Sequence, residues 1–200
     1  VIRALDVGTS LAATLVRGGS GVKVGALGER PERPLVLYEF EACPFCRKVR
    51  EALTILDLEA EIRPCPKGGQ RFRPELLERG GKAQFPYLVD PNSGKELYES
   101  DEIVRLLFTR YGDGRVPGLL APGPLTNATA ALASALRPIQ GARSEPSRAP
   151  EQPLELWSFE GSPFCRIVRE KLCSLEIPYL LHNVGKGSPR RRHSWTAPER

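Results

Sequence analysis

Apolar positions along the chain fall into two periods. Leu35-Val-Leu-Tyr-Glu-Phe40 alternates apolar and mixed residues, the period-2 pattern of a short strand. Val49, Ala52, Leu53 and Leu56 then recur at i, i+3, i+4 and i+7, one apolar stripe of a helix. Glu59–Arg63 reads as a second strand, stopped by Pro64-Cys-Pro66. Pro74 opens a short helix over Glu75–Glu78 that Gly80-Gly81 terminates. Gln84–Val89 and Lys95–Tyr98 flank Asp90-Pro-Asn-Ser-Gly94, a hairpin around an Asn/Gly turn. Ile103, Leu106, Leu107 and Tyr111 mark a last periodic helix, with Ser100 as its expected N-cap and Gly112 as its stop. Residues 35–112 therefore predict the order strand–helix–strand–helix–strand–strand–helix, an α/β unit.

Cys43-Pro-Phe-Cys46 stands at the junction of the first strand and helix. Pro44 suits the first helical position, where its missing N–H costs nothing. Cys43 then caps the helix, beside unpaired N–H groups and the positive end of the macrodipole, which stabilise a thiolate. Arg47 and Arg50 add charge of the same sense, and Cys46 lies one turn away, placed to resolve a mixed disulfide. A bare CxxC also fits half of a zinc site or a pair of structural thiols. Zinc usually takes four ligands, and the chain offers only His182 and His193 and no second CxxC, so no metal site is assigned. Cys65, between prolines in a loop, reads as a bystander.

Five cysteines, unevenly spread, do not form an extracellular disulfide framework and fit a reducing compartment. No apolar run approaches the eighteen residues of a membrane span. The formal charge of +5 invites a nucleic-acid partner, but Lys186–Arg200 alone carries five basic residues and one acid. The basicity belongs to a tail, without the aromatic interleaving of a single-strand binder, so nucleic acid is not assigned.

Residues 1–34 read as a leader, partly disordered, with two turns of helix over Ser10–Val16. Residues 113–153 are rich in Pro, Gly and Ala and read as a linker with a short helix over Asn127–Leu136. The chain then repeats itself. Leu154–Glu170 aligns with Leu35–Glu51, and Leu172, Leu175, Lys186 and Gly187 match Leu53, Leu56, Lys67 and Gly68, 119 residues earlier. Ser162 replaces Cys43 while Cys165 keeps the place of Cys46, so the second copy (154–187) is expected to be redox-silent. Cys173 falls inside its helix and reads as core. Nothing up to Arg200 matches the hairpin and last helix of the first copy, so the second is expected to be truncated and weakly ordered, with 188–200 a disordered basic tail.

Cys43-Pro-Phe-Cys46, Phe85-Pro86 before a strand, Glu99-Ser100 opening the last helix, and the element order together resemble the thioredoxin-like N-terminal domain of glutathione S-transferases and the related glutaredoxins. The resemblance implies a thioredoxin-like βαβαββα domain over 35–112 that binds glutathione. It implies a cis bond before Pro86, the backbone of Phe85 pairing with the cysteinyl unit, Glu99 and Ser100 holding the γ-glutamyl end, and Phe45 beside the site. Cys43 and Cys46 are the implied catalytic pair, acting on protein disulfides or glutathionylated proteins. The alternatives are a non-catalytic glutathione- or protein-binding module and a glutathione-ligated iron–sulfur dimer through Cys43. The Pro-, Gly- and Ala-rich stretch after Gly112 is not expected to form the all-helical domain that follows in a full transferase. The tandem arrangement is similar to plastid proteins of plants and algae, which implies a chloroplast location.

Overall fold

The computed structural model describes residues 4–25 and 27–191 of the chain. In order these form α1 (Ala4–Val16), β1 (Leu35–Glu39), α2 (Pro44–Ile55), β2 (Ala60–Pro64), α3 (Arg73–Gly80), β3 (Tyr87–Asp90), β4 (Lys95–Leu97), α4 (Ser100–Tyr111), α5 (Pro124–Ala135), β5 (Leu154–Ser158), α6 (Pro163–Ser174) and β6 (Tyr179–Asn183). The expected order over 35–112 is present, and Gly81 closes α3 in the left-handed conformation that favours glycine.

One sheet of six strands runs β4-β3-β1-β2-β6-β5. Alternation along β1 splits the core in two. Leu35 and Leu37 join Val49, Leu53 and Leu56 of α2 and Ile103, Leu107 and Phe108 of α4 on one face. Tyr38 joins Tyr87, Val89 and Leu76 of α3 on the other. Each fully buried Leu or Val contributes about 1.5–3 kcal/mol, so the α2–sheet–α4 layer is the main store of stability.

The second copy is not a separate, loosely held unit. β6 pairs antiparallel with β2, and β5 pairs parallel with β6. Residues 154–183 thus extend the first copy's sheet, and the β2 edge that a lone first copy would expose is covered. The seam is centred on Glu61 opposite Leu180, two positions that are themselves 119 residues apart. It therefore has the isologous geometry of a two-fold dimer, within one chain.

The repeat also reaches further back than Leu35. Leu5, Thr9, Ala13, Arg17 and Gly21 correspond to Leu125, Thr129, Ala133, Arg137 and Gly141 at a spacing of 120. The segment expected as a leader carries α1, longer than Ser10–Val16 and packed on α5 and α6, and the expected linker carries α5, packed on α2. Two forks fix them. Arg17 grips Glu51 of α2 (2.7 and 2.8 Å) and reaches Thr129 of α5. Arg137 grips Glu170 of α6 and reaches Thr9 of α1. Paired short bridges, Lys23 with Lys186 and Lys67 with Arg143, repeat the relation at the loops. Of the expected disordered tail, residues 189–191 form a short turn and 192–200 lie outside the described residues.

Candidate functional site

Strand register assembles the site. β1 and β3 pair Tyr38 with Tyr87, so the segment leaving β1 toward Cys43 runs beside the one entering β3 through Phe85-Pro86. Phe40 and Phe85 meet edge to face at 5.7 Å. β3 and β4 pair Leu88 with Leu97, which returns the chain to the same end of the sheet for Glu99 and Ser100. The Gln84 side-chain amide donates to the Glu99 carboxylate across that corner. The Phe85–Pro86 bond is cis.

Cys43 is the N-cap of α2, in extended backbone, with Pro44 next. Its Sγ accepts the Cys46 N–H at 3.3 Å. The Cys43 thiol is pulled below its ordinary value, first by a hydrogen bond from the Cys46 side chain, against the opposing effect of burial, with help from the N–H groups of Cys46 and Phe45 and from Arg50. Burial pushes the Cys46 thiol well up, and the charge on Cys43 and Glu39 adds to this. The two thiols are therefore shifted in opposite directions, Cys43 down and Cys46 up. Cys43 keeps 4% of its surface exposed and Cys46 none. Cys65 and Cys173 are both buried with their thiols raised by that burial. Cys173 accepts the Glu41 N–H and donates to the Gly141 carbonyl, a structural role.

The α4 end departs from expectation in one respect. Ser100 is the first helical residue, and Glu99 takes the cap position with no side-chain cap bond. Glu99 sits at φ 64° and ψ 112°, a region that costs a non-glycine residue about 1–3 kcal/mol. Turning the chain there leaves the Ser100 hydroxyl without a hydrogen bond among the described residues, at the positive end of a twelve-residue helix. The first-turn acids that would repel an anion are partly answered, Asp101 by Lys48 and Glu102 by Arg105. Phe45 stands 45% exposed beside the motif. Arg73, which the sequence did not single out, lies over the Phe85 ring at 4.7 Å with Nε donating to the Cys65 and Pro66 carbonyls. Its only signal was its place one residue before the Pro that opens α3.

Behind the motif lies a buried ionic cluster. Arg47, Arg50, Arg166 and Arg169 face Glu39, Glu41 and Glu160, all at most 2% exposed. Glu160 accepts from Arg47 and Arg50 (3.0 Å each) and Arg169 (2.6 Å), and lies 3.5 Å from Arg166. Glu41 accepts from Arg169 at 3.1 Å and lies 3.4 Å from Arg50. Arg50 also holds Glu39. The pairs Arg50–Glu160 and Arg169–Glu41 are equivalents across the seam. Four arginines thus face three carboxylates, and the charge of Arg50 is among those that lower the Cys43 thiol.

The matching corner of the second copy keeps the same capping geometry. Ser162 Oγ accepts the Cys165 N–H at 3.3 Å, as the Cys43 sulfur does. There α1 sits against it: Ser10 donates to the Pro163 carbonyl and Thr14 to that of Gly161, both at 3.1 Å. A cleft of about 800 Å³ lies on the α3 side of the sheet over Val36, Tyr38, Val89 and Leu180, and Cys43 is not among its walls. Among the described residues no group of three or more metal-ligating side chains comes together, and no helix is long and apolar enough to cross a membrane.

Comparison with known families bears on this corner directly. Residues 37–118 match the glutathione S-transferase N-terminal domain. That span contains Cys43, Cys46, Phe85, Pro86, Glu99 and Ser100, and ends before α5. Among solved structures, the glutathione transferase BmGSTD1 of Bombyx mori is similar at 28% identity, over 42% of this chain and 39% of that one, with a TM-score of 0.38. The match spans well under half the length of that transferase. No curated protein matches the chain.

Proposed function

We propose that this protein binds glutathione at the Cys43 corner and exchanges thiols and disulfides there. The observation that carries the reading is the Cys43 sulfur at the N-terminus of α2, its thiol lowered while its neighbour's is raised. The unpartnered Ser100 hydroxyl and the first N–H groups of α4 suit the γ-glutamyl carboxylate, and Glu99 suits the ammonium group beside it. The Cys43 thiolate attacks the glutathione sulfur of a glutathionylated thiol. That disulfide breaks, the partner leaves as a thiolate, and glutathione stays on Cys43. Cys46, or a second glutathione, then displaces it.

The limited exposure of Cys43 favours a second reading, a glutathione- or protein-binding module without turnover. Reduction of a glutathionylated peptide separates the two. Catalysis requires that Cys43→Ser abolish turnover while Cys46→Ser keeps a monothiol remnant; equal residual rates in both variants would refute the assignment of roles, and no turnover in the parent would favour the binding module. The setting we propose is a reducing compartment, the chloroplast by resemblance, with all five cysteines free.

A further inference from the structure

We propose that the outer edge of β5, with the face of α6 beside it, binds a second molecule of this protein, strand against strand about a two-fold axis. The repeat shows what this surface lacks. In the first copy β3 pairs antiparallel along β1 through Val36, Leu37 and Tyr38. There α4 lies on α2, with Ile103, Leu107 and Phe108 in the shared core. Leu35 and Val49 are fully buried as a result. Their equivalents 119 residues on, Leu154 and Val168, stand 37% and 44% exposed, and Phe164 is exposed one turn before Val168. Among the described residues nothing pairs with β5 on the side away from β6. The other flank is covered alike in both copies, α1 packing on α6 as α5 packs on α2.

The two ends of the sheet differ in kind. β4 is three residues long with Lys95 and Glu96 exposed, a short charged strand that blunts its edge. β5 is five residues long, and Leu154-Glu-Leu-Trp-Ser158 carries one charge and no proline. An unblunted edge beside an apolar helix face is a template for another chain.

The strand itself selects the occupant. The equivalent edge on β1 is filled antiparallel, and a strand that meets its own likeness antiparallel makes a closed two-fold contact. An axis through Leu156, the middle residue, sets Leu156 opposite Leu156 on one face and Glu155 opposite Trp157 on the other, so no like charges face each other along the strands. Lys171, at the place of Ala52 on the helix face, is held by Glu145. The chain already closes on itself in this manner. β2 and β6 meet antiparallel about Glu61 and Leu180, with Arg50 of α2 and Arg169 of α6 sharing Glu160. A two-fold at β5 repeats that seam, continues the sheet into the second molecule, and brings its α6 beside this one, as α4 lies beside α2.

Sedimentation velocity of the full chain under reducing conditions tests this from about 1 to 100 µM, the weak end of protein interface affinities. The expected result is a concentration-dependent particle of twice the chain mass. Leu154→Lys combined with Val168→Lys sets like charges across the axis and should weaken it at least about tenfold. Leu125→Lys, on an exposed leucine of α5, should leave it within about twofold. Hydrogen exchange read by mass spectrometry should show the Leu154–Ser158 amides gaining protection as concentration rises, and those of Lys95–Leu97 unchanged. A dimer indifferent to the paired lysines overturns the proposal. So does a monomer at every concentration: with β5 protected, its cover comes from within the chain, and with β5 open, the edge is left for a strand of some other protein. Should the lysine variant fail to fold by circular dichroism, the parent decides alone, and β5 amides that gain no protection with concentration overturn the proposal.

Discussion

Replacing Glu160 by Gln keeps the shape of the side chain and removes the one carboxylate shared by all four arginines of the buried cluster. Stripping one partner from a buried ionic group leaves uncompensated charge and costs about 3–5 kcal/mol. With a urea m-value of roughly 2 kcal/mol/M, that moves the unfolding midpoint down by about 1.5–2.5 M. The assay is urea unfolding in a Trp195→Phe background, following Trp157, which stacks on His182 in the outer strands, alongside far-ultraviolet circular dichroism. The two probes should give one coincident transition, because β5 and β6 share a sheet with β1 and β2. Glu145→Gln, which breaks an exposed pair with Lys171, is the control and should cost under about 1 kcal/mol. The arginines hold Glu160 far below the ordinary carboxylate range despite its burial. Its contribution is therefore fully present above the unfolded value and is lost as pH falls toward the folded one, so parent and variant should converge in acid. A Glu160→Gln cost no larger than the control's, or an early separate transition of Trp157, would refute the account of the seam.

Iodoacetamide at neutral pH should alkylate Cys43 before any other buried cysteine, with a pH midpoint below that of an ordinary thiol; mass spectrometry of peptides reads the order, and first labelling at Cys46 would contradict the capped thiolate. Ser100→Ala should weaken glutathione binding about 2- to 10-fold by calorimetry, the worth of one hydrogen bond, without lowering the melting temperature. Arg17→Ala and Arg137→Ala should destabilise the fold by similar amounts, each about 3 kcal/mol or more, since each leaves a buried glutamate unpaired; denaturant titration of both tests the equivalence of α1 and α5.

Where periodicity and local chemistry decide the structure, the chain is legible. The β1–Cys43–α2 junction, the β3–β4 hairpin and the second copy's helix all announce themselves by spacing, proline and glycine. The candidate corner was implied by the resemblance, and the β1–β3 register brings the hairpin back beside β1. Three things were hidden. Arg47, Arg50, Arg166 and Arg169 look like the wet side of an amphipathic helix, and only the carboxylates gathered from both copies make their burial tolerable. The kinship of α1 and α5 rests on residues four apart, at a spacing one longer than that of the strands, so a single alignment offset loses it. Ser100 satisfies every local criterion for a cap, yet the strained turn at Glu99 starts the helix one residue earlier.

The seam at Glu61 and Leu180 has a consequence for chain continuity. Pro146–Gln152, the tether into β5, is exposed throughout, whereas the strand pairing and ionic frame that join the halves are not. A single proteolytic nick in that tether would leave two fragments that still migrate as one particle, because the backbone between them is a leash and the closure is noncovalent.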